Sequence, residues 1–111
     1  MLVTCASIDD LIANLRCGDD VYGRVVYASI SRRRVDPNSD VKIEVTLQAS
    51  AVMRNSDGGE YLLQYGERCG VDYHDSSQEM IGSSEANKLH DELRRYCDGA
   101  GLAVRPGVVQ A

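Results

Sequence analysis

Residues 41–53, with the sequence VKIEVTLQASAVM, alternate between apolar and polar side chains, and this pattern constrains the fold more than any other feature. The odd positions from Val41 to Met53 are all apolar, whereas the even positions are polar except Val52. A period of two residues is typical of a β-strand that packs one face on a core and turns the other to water or a partner. The segment therefore predicts a long strand in a layered structure.

The residues after this strand predict that it forms a hairpin. NSDGG at 55–59 has the glycine and polar residues of a tight turn. If Arg54 faces Glu60, small side chains lie opposite large ones on the apolar face. These pairs are Met53 with Tyr61, Ala51 with Leu63, and Ala49 with Tyr65. Continued without interruption, the register pairs Thr46 with Arg68, Val45 with Cys69, Ile43 with Val71, and Lys42 with Asp72. We therefore predict a strand over 60–73, although its glycines are more typical of a loop.

The remaining segments predict one α+β domain spanning residues 1–111. Apolar residues at helical spacing indicate a helix from Ile8 to Cys17, capped by Ser7, and a second from Glu85 to Asp98. A further strand is expected over 21–35 and a short one within 102–104, and 74–84 reads as an irregular connection. Both helical stripes need the same apolar sheet face, which gives two layers. The predicted fold is an antiparallel meander of three to four strands with both helices on one face, in the order α-β-β-β-α-β.

Composition excludes several classes of function. The chain is acidic, with a net charge of −5, and its acids are spread along the sequence, which argues against general binding to nucleic acid backbones. The cysteines at positions 5, 17, 69 and 97 show no metal-ligand spacing, so we expect no metal, no cofactor and a reduced, cytoplasmic protein. No apolar run reaches transmembrane length and no signal peptide is expected, so no membrane partner is predicted.

The outer face of the predicted sheet is the first candidate site. It is depleted of charge at its centre, although an uncovered face normally carries Lys and Glu. Its candidate interface residues are Tyr27, Thr46, Gln48, Ser50, Val52, Leu62 and Gln64, with the first strand adding either Val25 and Tyr27 or Tyr22 and Val26. This composition is typical of an interface core, although an ordinary Thr/Gln/Ser solvent face is the alternative. The leading hypothesis is a non-catalytic interaction module (accessory, adaptor or inhibitor type) that forms a homodimer or binds an unidentified protein.

Glu67 is the second candidate site, because the predicted register turns it toward the apolar face. A carboxylate there would suit acid–base chemistry or ligand binding, in a pocket formed with Tyr65, Cys69 and His90. Two alternatives are open: a bulge at Gly66 or Gly70 turns Glu67 outward, or Glu67 lies beyond the cover of the helices. The pair His74 and Asp75 also holds chemistry-bearing groups, but adjacent strand residues point to opposite faces.

No catalytic motif or family is recognised, and we favour a non-enzymatic role. A G-x-S-x-G motif, a phosphate-binding glycine loop and a dinucleotide fingerprint are all absent from the sequence. Arg32, Arg33 and Arg34 could grip phosphate, which gives nucleic-acid binding as a third and weak hypothesis. Such a run more commonly protects a sheet edge from aggregation.

Overall fold

The structure is a computed structural model that describes residues 1–38, 42–73 and 81–107. Its elements follow one another from the N-terminus to the C-terminus. They are β1 (Leu2–Thr4), α1 (Ile8–Leu15), β2 (Asp20–Val21), a 3₁₀ turn (Tyr22–Arg24), β3 (Val25–Arg34), β4 (Lys42–Arg54), β5 (Glu60–Tyr73), α2 (Ile81–Ala100) and β6 (Ala103–Arg105).

The α+β class is confirmed, and the predicted antiparallel meander of three to four strands is only partly right. The described strands form one mixed sheet of six, in the order β1-β5-β4-β3-β6, with β2 paired to β4. The three central strands are antiparallel, as expected. The two outer strands are parallel to their neighbours: β1 pairs with β5 and leads into α1, and β6 follows α2 and pairs with β3.

The predicted first strand over 21–35 is interrupted near its start. Gly23 and Arg24 have φ of +69° and +51°, a conformation that breaks an extended ladder. The chain therefore makes a short pairing at β2, turns, and enters β3 at Val25.

Both helices cover the face of the sheet that carries the odd residues of β4. Val45, Leu47, Ala51 and Met53 are fully buried there, so the alternating pattern is confirmed as the signature of the core. The helices contribute stripes at helical spacing to the same core. Their buried apolar residues are Ile8, Leu11, Leu15, Ala86, Leu93 and Cys97.

Local hydrogen bonds explain where the helices begin and end. The Ser7 hydroxyl accepts the Asp10 amide at 3.0 Å, which caps α1 as predicted, although α1 ends at Leu15 and not at Cys17. α2 is longer than the predicted 85–98. At its C-terminal end the guanidinium of Arg24 donates to the carbonyl of Ala100 at 2.9 Å, which satisfies one of the final carbonyl groups.

The predicted pairing of β4 with β5 holds from Arg54 with Glu60 to Thr46 with Arg68. Beyond that point the uninterrupted register is wrong, because Cys69 is an extra residue and Val45 pairs with Gly70. This β-bulge shifts every later partner by one, so that Val71 lies opposite Glu44 and Tyr73 opposite Lys42. Asp72 consequently pairs with Ile43 and lies on the face covered by α2.

Candidate functional site

The outer sheet face is the surface opposite the two helices, and it brings all seven predicted interface residues together. Ser50 pairs with Tyr27 on one side and with Gln64 on the other, and Val52 pairs with Leu62. Gln48 and Thr46 continue the same face along β4. Of the two arrangements open for the first strand, the structure has Val25 and Tyr27 on this face, because Val26 is fully buried beneath the helices.

An apolar row crosses the outer face from one edge of the sheet to the other. Leu2 lies beside Leu62, which pairs with Val52, and Val25 lies beside Ala103 on the far side. Leu2 remains 54% exposed, whereas Val52, Leu62 and Val25 are half-buried. The sequence reading missed Leu2 and Ala103, because strands of three residues leave no periodic signal.

The ion pairs of the outer face lie at its two ends, whereas Arg105 lies on the edge strand β6 beside Tyr27, and Arg68 lies beside Thr46. Arg33 faces Glu44 at 3.4 Å, and Arg54 contacts Glu60 at 2.6 Å and stacks on the Tyr22 ring, 4.5 Å from its centroid. The centre between these ion pairs carries Ser50, which is 5% exposed although no described element covers this face. A neutral centre with a charged rim is the arrangement typical of protein interfaces.

A cleft of about 360 Å³ lies on the other face, between β5 and α2. It brings together three of the four predicted pocket residues, Tyr65, Glu67 and Cys69, and adds Arg68, Glu85 and Leu89. His90 does not line it. Glu67 pairs with Leu47 as the predicted register requires, yet it is exposed, so it lies beyond the cover of the helices. The bulge begins only after Arg68 and therefore does not turn Glu67 outward.

The Tyr65 hydroxyl and the Cys69 thiol on the floor of the cleft are held in their neutral forms. Burial raises the pKa of Tyr65 to about 12, and the nearby Glu67 and Glu85 carboxylates add to this shift. Burial, followed by the charges of Glu85 and Glu67, raises the pKa of the Cys69 thiol as well. A thiol in this environment is a poor nucleophile at neutral pH. The arrangement therefore favours binding over covalent chemistry.

The arginine run is divided between the two faces. Arg32 points under α2 and donates to the Ser83 hydroxyl at 3.0 Å, whereas Arg33 faces Glu44 on the outer side. The Ser83 hydroxyl in turn hydrogen-bonds the buried Asp72 carboxylate, which also accepts the Ser83 amide at 2.9 Å. This network holds the first turn of α2, and its residues were not identified from the sequence because the bulge was not visible there.

The other chemistry-bearing residues do not assemble into a reactive site. The four cysteines are free, and burial raises the pKa of Cys97 to about 11. In the described part of the chain, no group of three or more His, Cys, Asp or Glu side chains could hold a metal ion. His74 and Asp75 lie outside the described residues.

The chain matches no family model, no curated protein and no solved structure. None of the helices within residues 1–38, 42–73 and 81–107 combines the length and apolar character needed to cross a membrane.

Proposed function

We propose that this protein is a non-catalytic interaction module whose outer sheet face binds a second copy of the chain. The observation that carries the proposal is the apolar row from Leu2 to Ala103, which crosses five strands on a face that no described element covers. Five strands about 4.8 Å apart and nine residues of β4 outline roughly 500 Å² per partner. A dimer would then bury on the order of 1,000 Å², the lower limit of specific interfaces.

The charges of this face are compatible with self-association. In an isologous dimer the same patch meets itself, so unpaired like charges at its centre would repel. The ion pairs Arg33–Glu44 and Arg54–Glu60 are internal to each copy and lie at the ends of the patch. The neutral centre around Ser50 and Val52 supports close contact between two copies.

We also place the protein in the cytoplasm, where thiols are kept reduced. All four cysteines are free, and Cys5 and Cys97 are buried in the core. These features are typical of cysteines that act as small apolar residues in a reducing compartment.

Val52→Arg tests the dimer. In a dimer this change would put two positive charges next to each other at the centre of the interface. We expect the binding free energy to weaken by about 2–5 kcal/mol, as for unpaired charges at interfaces. We expect sedimentation velocity at micromolar concentrations to give a dimer for the unchanged protein and a monomer for the variant. Asn87→Arg adds the same charge on the exposed side of α2 and should remain a dimer.

Two other results would contradict the dimer. The first is a protein that stays monomeric at every concentration up to about 100 µM. Its dissociation constant would then exceed about 100 µM, so the binding free energy would be weaker than roughly 5–6 kcal/mol. Salt-dependent retention of the monomer on heparin would instead support the nucleic-acid hypothesis, because phosphate contacts weaken with salt.

A small-ligand-binding protein or minor enzyme is the alternative function, and the cleft around Glu67 is the observation that favours it. The cleft is lined by carboxylates and apolar groups together. However, Glu67 is exposed, and sites for small molecules usually enclose most of the ligand surface. The interaction module therefore fits the geometry better.

A further inference from the structure

Within the described residues, half of one sheet edge beside the cleft has no strand paired to it. The Leu62 amide donates to the Met1 carbonyl at 2.9 Å, and the Gln64 carbonyl accepts the Cys5 amide at 2.8 Å. Alternate residues of a strand direct their backbone groups to the same side, so those of Gly66 and Arg68 face this edge too. Among the described residues, no strand pairs with this side of β5 beyond Gln64.

The cleft adjoins this edge and has two chemically distinct parts. Tyr65, Cys69 and Leu89 supply apolar surface, and Glu67 and Glu85 supply two carboxylates. Arg68 also lines the cleft, but its position in the register faces the outer side of the sheet beside Thr46. A Lys or Arg side chain matches this combination, because its apolar stem ends in a positive charge.

We propose that an extended peptide with a basic side chain adds as a strand to the free edge of β5 and inserts that side chain between Glu67 and Glu85. Strand addition supplies affinity through backbone hydrogen bonds, and a side-chain pocket supplies specificity. The added strand would continue the line of β1 along the edge of β5 and would lie beside Gly66 and Arg68. Side chains on its helix-facing side then lie next to the cleft.

This site is independent of the proposed dimer, because it uses the edge of β5 and the helical face. The dimer uses the outer face. Val52→Arg should therefore leave peptide binding unchanged, and loss of the peptide site should leave the oligomeric state unchanged.

Fluorescence anisotropy with a labelled peptide of sequence TVTRTVT tests the proposal. The alternation makes the peptide a strand former and puts the arginine on one face. We expect saturable binding, and we expect about tenfold weaker binding when Gln replaces the arginine, because two partly exposed charge pairs are lost. Replacing both Glu67 and Glu85 with Lys should reverse the preference, so that a TVTETVT peptide binds more tightly than the arginine peptide.

The backbone contribution is tested with a matched pair of variants. Gly66→Ala adds a Cβ that meets the Gln48 side chain at an ordinary 3.6 Å, and Gly66→Pro adds a similar group but also removes the edge-facing amide. We expect only the proline variant to bind weakly. N-methylation of alternate peptide amides removes the same hydrogen bonds without changing the protein, which keeps the test decisive if Gly66→Pro does not fold.

Three outcomes would overturn the proposal. The first is no binding of TVTRTVT below about 1 mM, which corresponds to about 4 kcal/mol. The second is equal affinity for the arginine, glutamine and glutamate peptides. The third is binding of the small guanidine agmatine as tightly as the peptide, since that would assign the cleft to a small ligand and not to an added strand.

Discussion

Asp72 shows how one displaced side chain anchors a helix. Burial alone would raise the pKa of this carboxyl group, but hydrogen bonds from Ser83 and Gly82, together with the charge of Arg32, outweigh that effect and lower the pKa. The carboxylate therefore serves as the acceptor for the first turn of α2, whose amides have no partners within the helix. It does so from a position eleven residues before Ser83 in the sequence.

This arrangement predicts how stability depends on pH. A carboxyl group whose pKa is lower in the folded state stabilises the fold above its unfolded-state pKa, near 3.8. That contribution disappears as the pH falls through the lower, folded-state value. Asp72→Asn should destabilise the protein by about 1–3 kcal/mol at pH 7, as expected for lost charge-assisted hydrogen bonds.

Urea denaturation between pH 2 and pH 8 measures the effect. The difference in unfolding free energy between the unchanged protein and Asp72→Asn should be constant above about pH 5 and shrink below about pH 4. Asp57→Asn, at the exposed hairpin turn, is the control and should change stability little at any pH. A difference that stays constant down to pH 2 would show that the charge of Asp72 is not the cause.

Among the secondary-structure elements, α2 and the sheet approach each other unusually closely at Gly82. A Cβ at this position would lie 2.9 Å from the Gly70 carbonyl group and from the Val45 side chain. Real Cβ atoms do not tolerate such contacts with backbone, so Gly82→Ala must push the helix from the strands. We expect a loss of about 1–3 kcal/mol, the usual cost of overpacking.

Gly99 provides the control for this substitution within the same helix. A Cβ there would meet nothing within 4 Å, so Gly99→Ala should gain about 0.5–1 kcal/mol from helix propensity. Thermal melts of the two variants should thus move in opposite directions. Melts that move the same way would contradict the close packing of α2 on the bulge.

The elements also show what the sequence could and could not predict. The alternation of β4 and the NSDGG turn identified the hairpin register as far as Thr46 with Arg68, because both signals are local. Cys69 carries no local mark of an extra residue, so the bulge, the position of Asp72 and the true start of α2 were missed together. β1 was missed for a different reason: its three residues pair only with distant β5.

For the whole molecule, the sheet separates two surfaces of different character. All seven predicted interface residues lie on the outer face, because the alternation of side chains between the two faces of a strand is visible in the sequence. The cleft was only partly predicted: Tyr65 and Glu67 follow from the register, whereas Cys69 lines the cleft as the extra residue of the bulge, and Glu85 and Leu89 depend on how α2 crosses the sheet. His90 does not line the cleft, since the apolar stripe of a helix does not set its rotation about its axis to within one residue.

The parallel pairing of both terminal strands has a consequence for the order of folding. β3, β4 and β5 join through near neighbours in the sequence, whereas β1 and β6 close the sheet only through partners far along the chain. Contacts of long sequence separation cost more loop entropy and form late.

Native-state hydrogen exchange tests this order. The backbone amides of Cys5 and Leu62 should exchange by a local opening of lower free energy than that of Ala49, and one common opening for all three would contradict the order. During synthesis, the N-terminal strand must wait unpaired until β5 has been made, and the sheet is completed at both margins only after its centre exists.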